Sequence, residues 1–94
     1  MYAVIRHYKF DPKNTAKIDQ QIKEDFAPML KKAPGFVAYY WLNTGAGAGA
    51  SCGVFQSKAG ADESVRLAAD FVSQHMAGLL GKPEIIEGEV KAQG

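Results

Sequence analysis

The stretches of this chain with strand character are apolar on both of their faces. Residues 2–10 alternate Tyr2, Val4, Arg6, Tyr8 and Phe10 against Ala3, Ile5, His7 and Lys9. Residues 36–43 alternate Phe36, Ala38, Tyr40 and Leu42 against Val37, Tyr39, Trp41 and Asn43. A strand with one wet face alternates apolar with polar residues, and neither stretch does. A sheet built from them must be covered on two sides.

The rest of the chain supplies cover for one side. Ile18, Ile22, Phe26 and Leu30 recur at helical spacing with Met29 beside them, and Val65, Ala68, Ala69, Val72, Met76 and Leu79 trace a second stripe. Punctuation separates these elements. Asp11-Pro12 breaks the first strand, Asn14 or Thr15 caps the first helix, and Pro28 should kink or end it, because proline lacks the N–H and crowds the carbonyl of Glu24. Pro34-Gly35 turns the chain into the second strand. The small-residue run from Thr44 to Ala50 reads as a hairpin loop, with Ser51–Gln56 returning as a strand in which Gly53 permits close backbone approach. Ser57 caps the second helix, Gly78 and Gly81 end it, and Pro83 opens a last strand, Glu84–Val90, suited to a sheet edge.

The order β-α-β-β-α-β is the α+β, ferredoxin-like arrangement: a four-stranded antiparallel sheet with its first and third strands central and both helices on one face. With 94 residues, the chain makes a single domain, residues 1–94, of which 91–94 form a loose tail. The helices leave the second apolar face bare. A patch of that kind is expected to be hidden by a second copy, so the chain should be a homodimer packed sheet to sheet.

Composition removes several function classes. Eleven Lys and Arg against ten Asp and Glu leave a formal charge of +1, so neither a basic stripe nor a grip on nucleic acid is expected. No segment approaches a membrane span, the start is too short and polar for a secretory leader, and a lone cysteine provides no staple; a cytoplasmic domain is expected. Gly45, Gly47 and Gly49 do not form a phosphate-binding loop, and two distant histidines with one cysteine offer no metal site.

The residues with chemical potential are few. His75, at the border of the second helical stripe, has an imidazole able to take a proton from a phenol or to ligate haem iron. Arg6 and His7 are strand neighbours and must point to opposite faces. Arg6 sits among Val4 and Tyr8, where an unpaired guanidinium is costly, so pairing with Glu87 or Glu89 is expected, with anion binding as the alternative. Tyr39 and Trp41 line one wall of the sheet and Tyr40 the other; all three are candidates for ligand contact or for core. Cys52 reads as a small buried hydrophobe.

The opening Tyr2-Ala3-Val4-Ile5-Arg6, the Pro34-Gly35-Phe36 turn, Gly53-Val54-Phe55, the Ser57 boundary and Gly88-Glu89-Val90 resemble the dimeric α/β-barrel proteins that include the antibiotic-biosynthesis monooxygenases. The resemblance spans residues 2–90. It implies an oxygenase-like protein without a cofactor, oxidising an aromatic or quinol-like small molecule, with His75 as base and Arg6, His7, Tyr39, Tyr40 and Trp41 around the ligand. A non-catalytic barrel that binds a small ligand, or serves assembly alone, is the second reading; a haem-binding or haem-degrading protein is the third. Haem-degrading members rely on an Asn in the first strand, a Trp in the third and a His on the second helix. Here His75 matches the last, while Arg6 and His7 replace the Asn and Val54 and Phe55 replace the Trp.

Overall fold

The computed structural model describes residues 1–94. Its strands are β1 (Tyr2–Lys9), β2 (Phe36–Asn43), β3 (Ala48–Phe55) and β4 (Glu84–Glu89). They form one antiparallel sheet in the order β2-β3-β1-β4, the ferredoxin-like α+β topology with the first and third strands central. The proline-led β4 lies at an edge.

Register fixes which side chains share a face. Trp41, Ser51, Arg6 and Ile85 form one row across the four strands, beneath the helices. The next row, Tyr40, Cys52, Ile5 and Ile86, points the other way. That outer face is uncovered in the single chain, with Tyr40 62% and Ile86 68% exposed. Leu42 and Ile5 are exposed there too, and Cys52 is half-buried rather than interior.

The first helical segment does not stop at Pro28. A turn of 3-10 helix (Pro12–Asn14), whose end is held by Asp11 accepting from the Lys13 amide at 3.1 Å, leads into α1 (Thr15–Gln21). The chain then widens into a π-helical stretch, Ile22–Phe26, and closes with α2 (Ala27–Leu30). Ala27 donates its amide to Ile22, five residues back, in place of the usual four. Widening just before a residue without an amide proton carries helical backbone past Pro28 to Leu30, so the expected stop does not occur there and the irregularity falls on the preceding turn. Ile18, Ile22, Phe26 and Leu30 are all buried, as their spacing requires.

The small-residue run is shorter as a loop than its composition implies. β3 begins at Ala48, so Gly49 and Ala50 pair with both β1 and β2, and Ala48 pairs with β1. The reason is Trp41. A Cβ on Gly49 would lie 2.6 Å from the indole, so only glycine lets the ring lie flat on the sheet. Gly47, at φ +74°, makes the turn, and its carbonyl accepts from the Phe10 amide at 2.8 Å.

α3 (Lys58–His75) is capped by Ser57, whose hydroxyl accepts from the Gly60 amide at 3.4 Å. Its buried face runs through Ala61, Ser64, Ala68 and Phe71, with Val65 and Val72 beside it; Ala69 is exposed. Phe71 is thus a core residue absent from the expected stripe, and it stacks on Phe26 of the other helical rod at 5.2 Å.

Candidate functional site

Between sheet and helices lies a small group of polar atoms in an apolar setting. Arg6 sits at the middle of β1 and is 2% exposed. Its cross-strand neighbour Ser51 is buried equally deeply. Neither Nη of the guanidinium has a hydrogen-bond partner, and nor does the Ser51 hydroxyl. The expected ion pair with Glu87 or Glu89 does not form. β4 places both glutamates on the helix-side face, opposite Val4 and Tyr2, but they are exposed and Arg6 takes part in no salt bridge. Register is the reason: Ile85 stands opposite Arg6, and at the solvated edge Glu89 pairs instead with Lys91 at 2.9 Å.

Two phenols complete the group. Burial pushes the Tyr39 hydroxyl up to about 12, with Arg6 and the nearby Ser51 hydroxyl drawing it back in part. Tyr8 is raised as well, again by burial and against the pull of Arg6. Both rings are therefore neutral O–H donors at physiological pH. Aromatic packing fixes them: Phe26 meets Tyr39 edge-on at 5.5 Å, and Tyr8 tilts against Trp41 at 6.1 Å.

Three spaces adjoin this group. A small inner space of about 20 Å³ is lined by Arg6, Tyr8, Tyr39, Ser51 and the aromatic core. A cleft of about 420 Å³ opens between α3, β1 and β4, with Arg6 and Tyr8 in its floor and Val65, Val72, Leu80 and Ile85 among its walls. A second cleft, about 390 Å³, runs between the first helical rod and β2 past Asp19, Tyr39 and Trp41. In it the Trp41 indole donates to the Asp19 carboxylate at 2.8 Å, which orients the ring from its outer edge.

The residues singled out by sequence thus divide. Arg6, Tyr39 and Trp41 are brought together beneath the helices. His7 and Tyr40 lie on the outer sheet face, because strand alternation sends them away from Arg6 and Tyr39. His75 is exposed at the end of α3, with its ring on Phe71 at 4.9 Å, and it lines none of the three spaces. The cleft is bordered by Ser73, and two further residues turn the helix about 200°, aiming His75 toward α1. Accordingly, Gln21 reaches across to the His75 carbonyl at 3.1 Å. The cleft lining therefore offers no imidazole to haem iron, and no cluster of three His, Cys, Asp or Glu side chains could hold a metal ion. Tyr8, Ser51 and Phe71 belong to the site without having been singled out. Ser51, a hydroxyl within an otherwise apolar strand, was the one signal available for them.

No protein-family model matches this sequence, and neither does any curated protein. Solved structures do match in shape. A protein of unknown function from Nitrosomonas europaea superposes with a TM-score of 0.81 at 19% identity, over 99% of this chain and 91% of that one. A monooxygenase of Streptomyces coelicolor, crystallised with nanaomycin D, superposes at 0.78 with 14% identity, over 98% and 88%. MhuD, a haem degrader of Mycobacterium tuberculosis with two haems in its active site, gives 0.78 at 12% identity, over 100% and 99%. The same fold occurs in a cofactor-independent oxygenase of Streptomyces nogalater and in a dimeric ferredoxin-like protein from an uncultured marine organism. The chain shares the ferredoxin-like fold of this monooxygenase, this oxygenase and this dimeric ferredoxin-like protein.

Proposed function

We propose that this protein is a small oxygenase-like barrel that binds an aromatic or quinol-like molecule in the cleft between α3 and β4, without a cofactor of its own. The observation that carries this reading is the cleft itself: about 420 Å³, walled by aliphatic side chains and floored by Arg6 and the neutral Tyr8 hydroxyl. Such a space takes one or two fused rings, and its floor meets a ring oxygen. A buried cation beside that oxygen favours its deprotonated form, which raises the electron density that dioxygen needs to attack. In the reaction implied by the resemblance, one oxygen atom becomes a new ring carbonyl. The other leaves as water with the two hydrogens lost from ring carbon and hydroxyl.

The working state on this reading is a homodimer. The row Tyr40, Cys52, Ile5 and Ile86, with Leu42 beside it, forms an exposed apolar strip across the whole outer face of the sheet. Face-to-face packing with a second copy covers it and leaves the helix-side cleft of each protomer open.

Oxygen uptake and product mass with a naphthol as probe test the activity. Enzyme-dependent formation of the naphthoquinone, abolished by filling the cleft with Ala69→Trp, supports it. Binding of the naphthol with no uptake above the uncatalysed rate would establish the second reading, a ligand-binding barrel without chemistry. That reading is favoured by one observation: neither an imidazole nor a carboxylate lines the cleft to serve as base.

A further inference from the structure

Arg6 is the least expected residue in the interior. A guanidinium carries five N–H donors and keeps its charge at every physiological pH. Here it is 2% exposed, both Nη groups lack acceptors, and the neighbouring Ser51 hydroxyl is likewise unpartnered. The inner space beside it, about 20 Å³, has room for one water, which cannot balance a charge. The cleft leading to it has a charge bias of its own. Its lining includes the cations Arg6 and Lys82 and no Asp or Glu. Glu87 shares the sheet face but lies outside the cleft, within the field of Lys58 at the start of α3.

Buried donors without acceptors, at the end of a cleft open to solvent, describe a receptor with its acceptor missing. We infer that Arg6 is the receptor for an oxyanion carried on the aromatic ligand, a carboxylate or an acidic phenolate, with Lys82 at the cleft mouth drawing it in. The planar fork of the guanidinium meets two oxygens of a carboxylate side by side, or one phenolate oxygen with the Tyr8 O–H as a second donor. The rings lie against Val65, Val72, Leu80 and Ile85, and the anionic group sits innermost. This rests on the cleft being the ligand site, as proposed above, and narrows its occupant to an aromatic acid.

The test measures binding of 2-naphthoate and its neutral isostere 2-naphthamide to the wild type, Arg6→Met, Arg6→Lys and Lys82→Ala by titration calorimetry. The wild type should prefer the naphthoate by about 10- to 100-fold, the range of a buried charge-assisted hydrogen bond. Arg6→Met should erase the preference while still binding the amide. Arg6→Lys, which keeps the charge, should retain a preference at weaker affinity, and this second variant decides the matter should Arg6→Met fail to fold. Lys82→Ala should slow association and weaken its salt dependence with little effect on dissociation. A parallel arm uses 7-hydroxycoumarin, whose absorbance reports its ionisation. A lowered ionisation pH on the wild type, absent in Arg6→Met, identifies a phenolate; a preference seen with naphthoate alone identifies a carboxylate. If naphthoate and naphthamide bind equally and the coumarin does not shift, the oxyanion receptor is refuted while the cleft stands. If none of the three probes binds, both readings fall.

Discussion

Replacing Arg6 by methionine should make the protein more stable, the reverse of the usual result for a buried residue. The two side chains have stems of similar length, so the packing of the arginine methylenes against Val4, Tyr8 and the α3 face is largely kept. What disappears is a charged group with both Nη nitrogens stranded in the interior. Replacing buried ionic groups by apolar ones of similar volume gains up to about 4 kcal/mol, and unpaired donors place Arg6 on the gaining side, at about 2 kcal/mol. For a domain of this size, that is a rise in melting temperature of about 8–16 °C. The measurement is thermal melting by circular dichroism at fixed protomer concentration, since a dimer's melting point depends on it. Saturating 2-naphthoate should raise the wild type by more than Arg6→Met, which binds it more weakly, narrowing the gap between them. A fall of about 5 °C or more in Arg6→Met, about 1 kcal/mol of lost stability, would mean that the guanidinium is satisfied and packed. Arg6 would then not be a receptor with its acceptor missing.

Four further outcomes follow from the same geometry. Gly49→Ala drives a methyl into the Trp41 indole and should cost about 1–3 kcal/mol in chemical denaturation, a penalty that shrinks in combination with Trp41→Phe. Because Tyr39 holds its proton up to about 12 when folded, against about 10 for an ordinary tyrosine, the folded state binds the proton more tightly. Stability should then be full below about pH 10 and decline as pH rises toward 12, and Tyr39→Phe should flatten that decline in urea melts. His75→Ala should leave naphthol binding and turnover within about threefold of wild type, in contrast to the 10²–10⁴-fold loss of a general base; a loss of that larger size would put the imidazole back in the reaction. A double change of Ile5 and Ile86 to lysine should halve the scattering mass from twice 10.2 kDa to 10.2 kDa, and a wild type that is already monomeric refutes the face-to-face dimer.

Periodicity and punctuation carried most of the architecture. Two-sided apolar alternation in Tyr2–Lys9 and Phe36–Asn43, two helical stripes, and the Ser57 and Pro83 boundaries suffice for the order of elements, the central pair of strands and the bare outer face. These are local properties: side chains alternate across a strand and recur every three to four residues on a helix, whatever the neighbours do. The same parity says that Arg6 and His7 part company, and that Tyr39 and Trp41 stay together.

Other features depend on contacts between residues far apart in the chain, and no local pattern holds them. The π-helical turn before Pro28, where the Ala27 amide reaches back to Ile22, leaves the i,i+4 spacing of the buried residues unchanged and so leaves no mark in their pattern. Ala48–Ala50 became strand because Trp41 needed a surface without side chains to lie on. Phe71 entered the core by meeting Phe26, and His75 left the site through the angle that two residues of helix impose. Above all, an arginine among apolar neighbours reads as half of an ion pair, since that is the cheapest way to bury one. Whether a carboxylate comes within reach is settled by register, which sets Ile85 opposite Arg6 and carries Glu87 and Glu89 to the level of Val4 and Tyr2. That register, fixed by how two distant strands meet, leaves Arg6 alone at the end of its cleft.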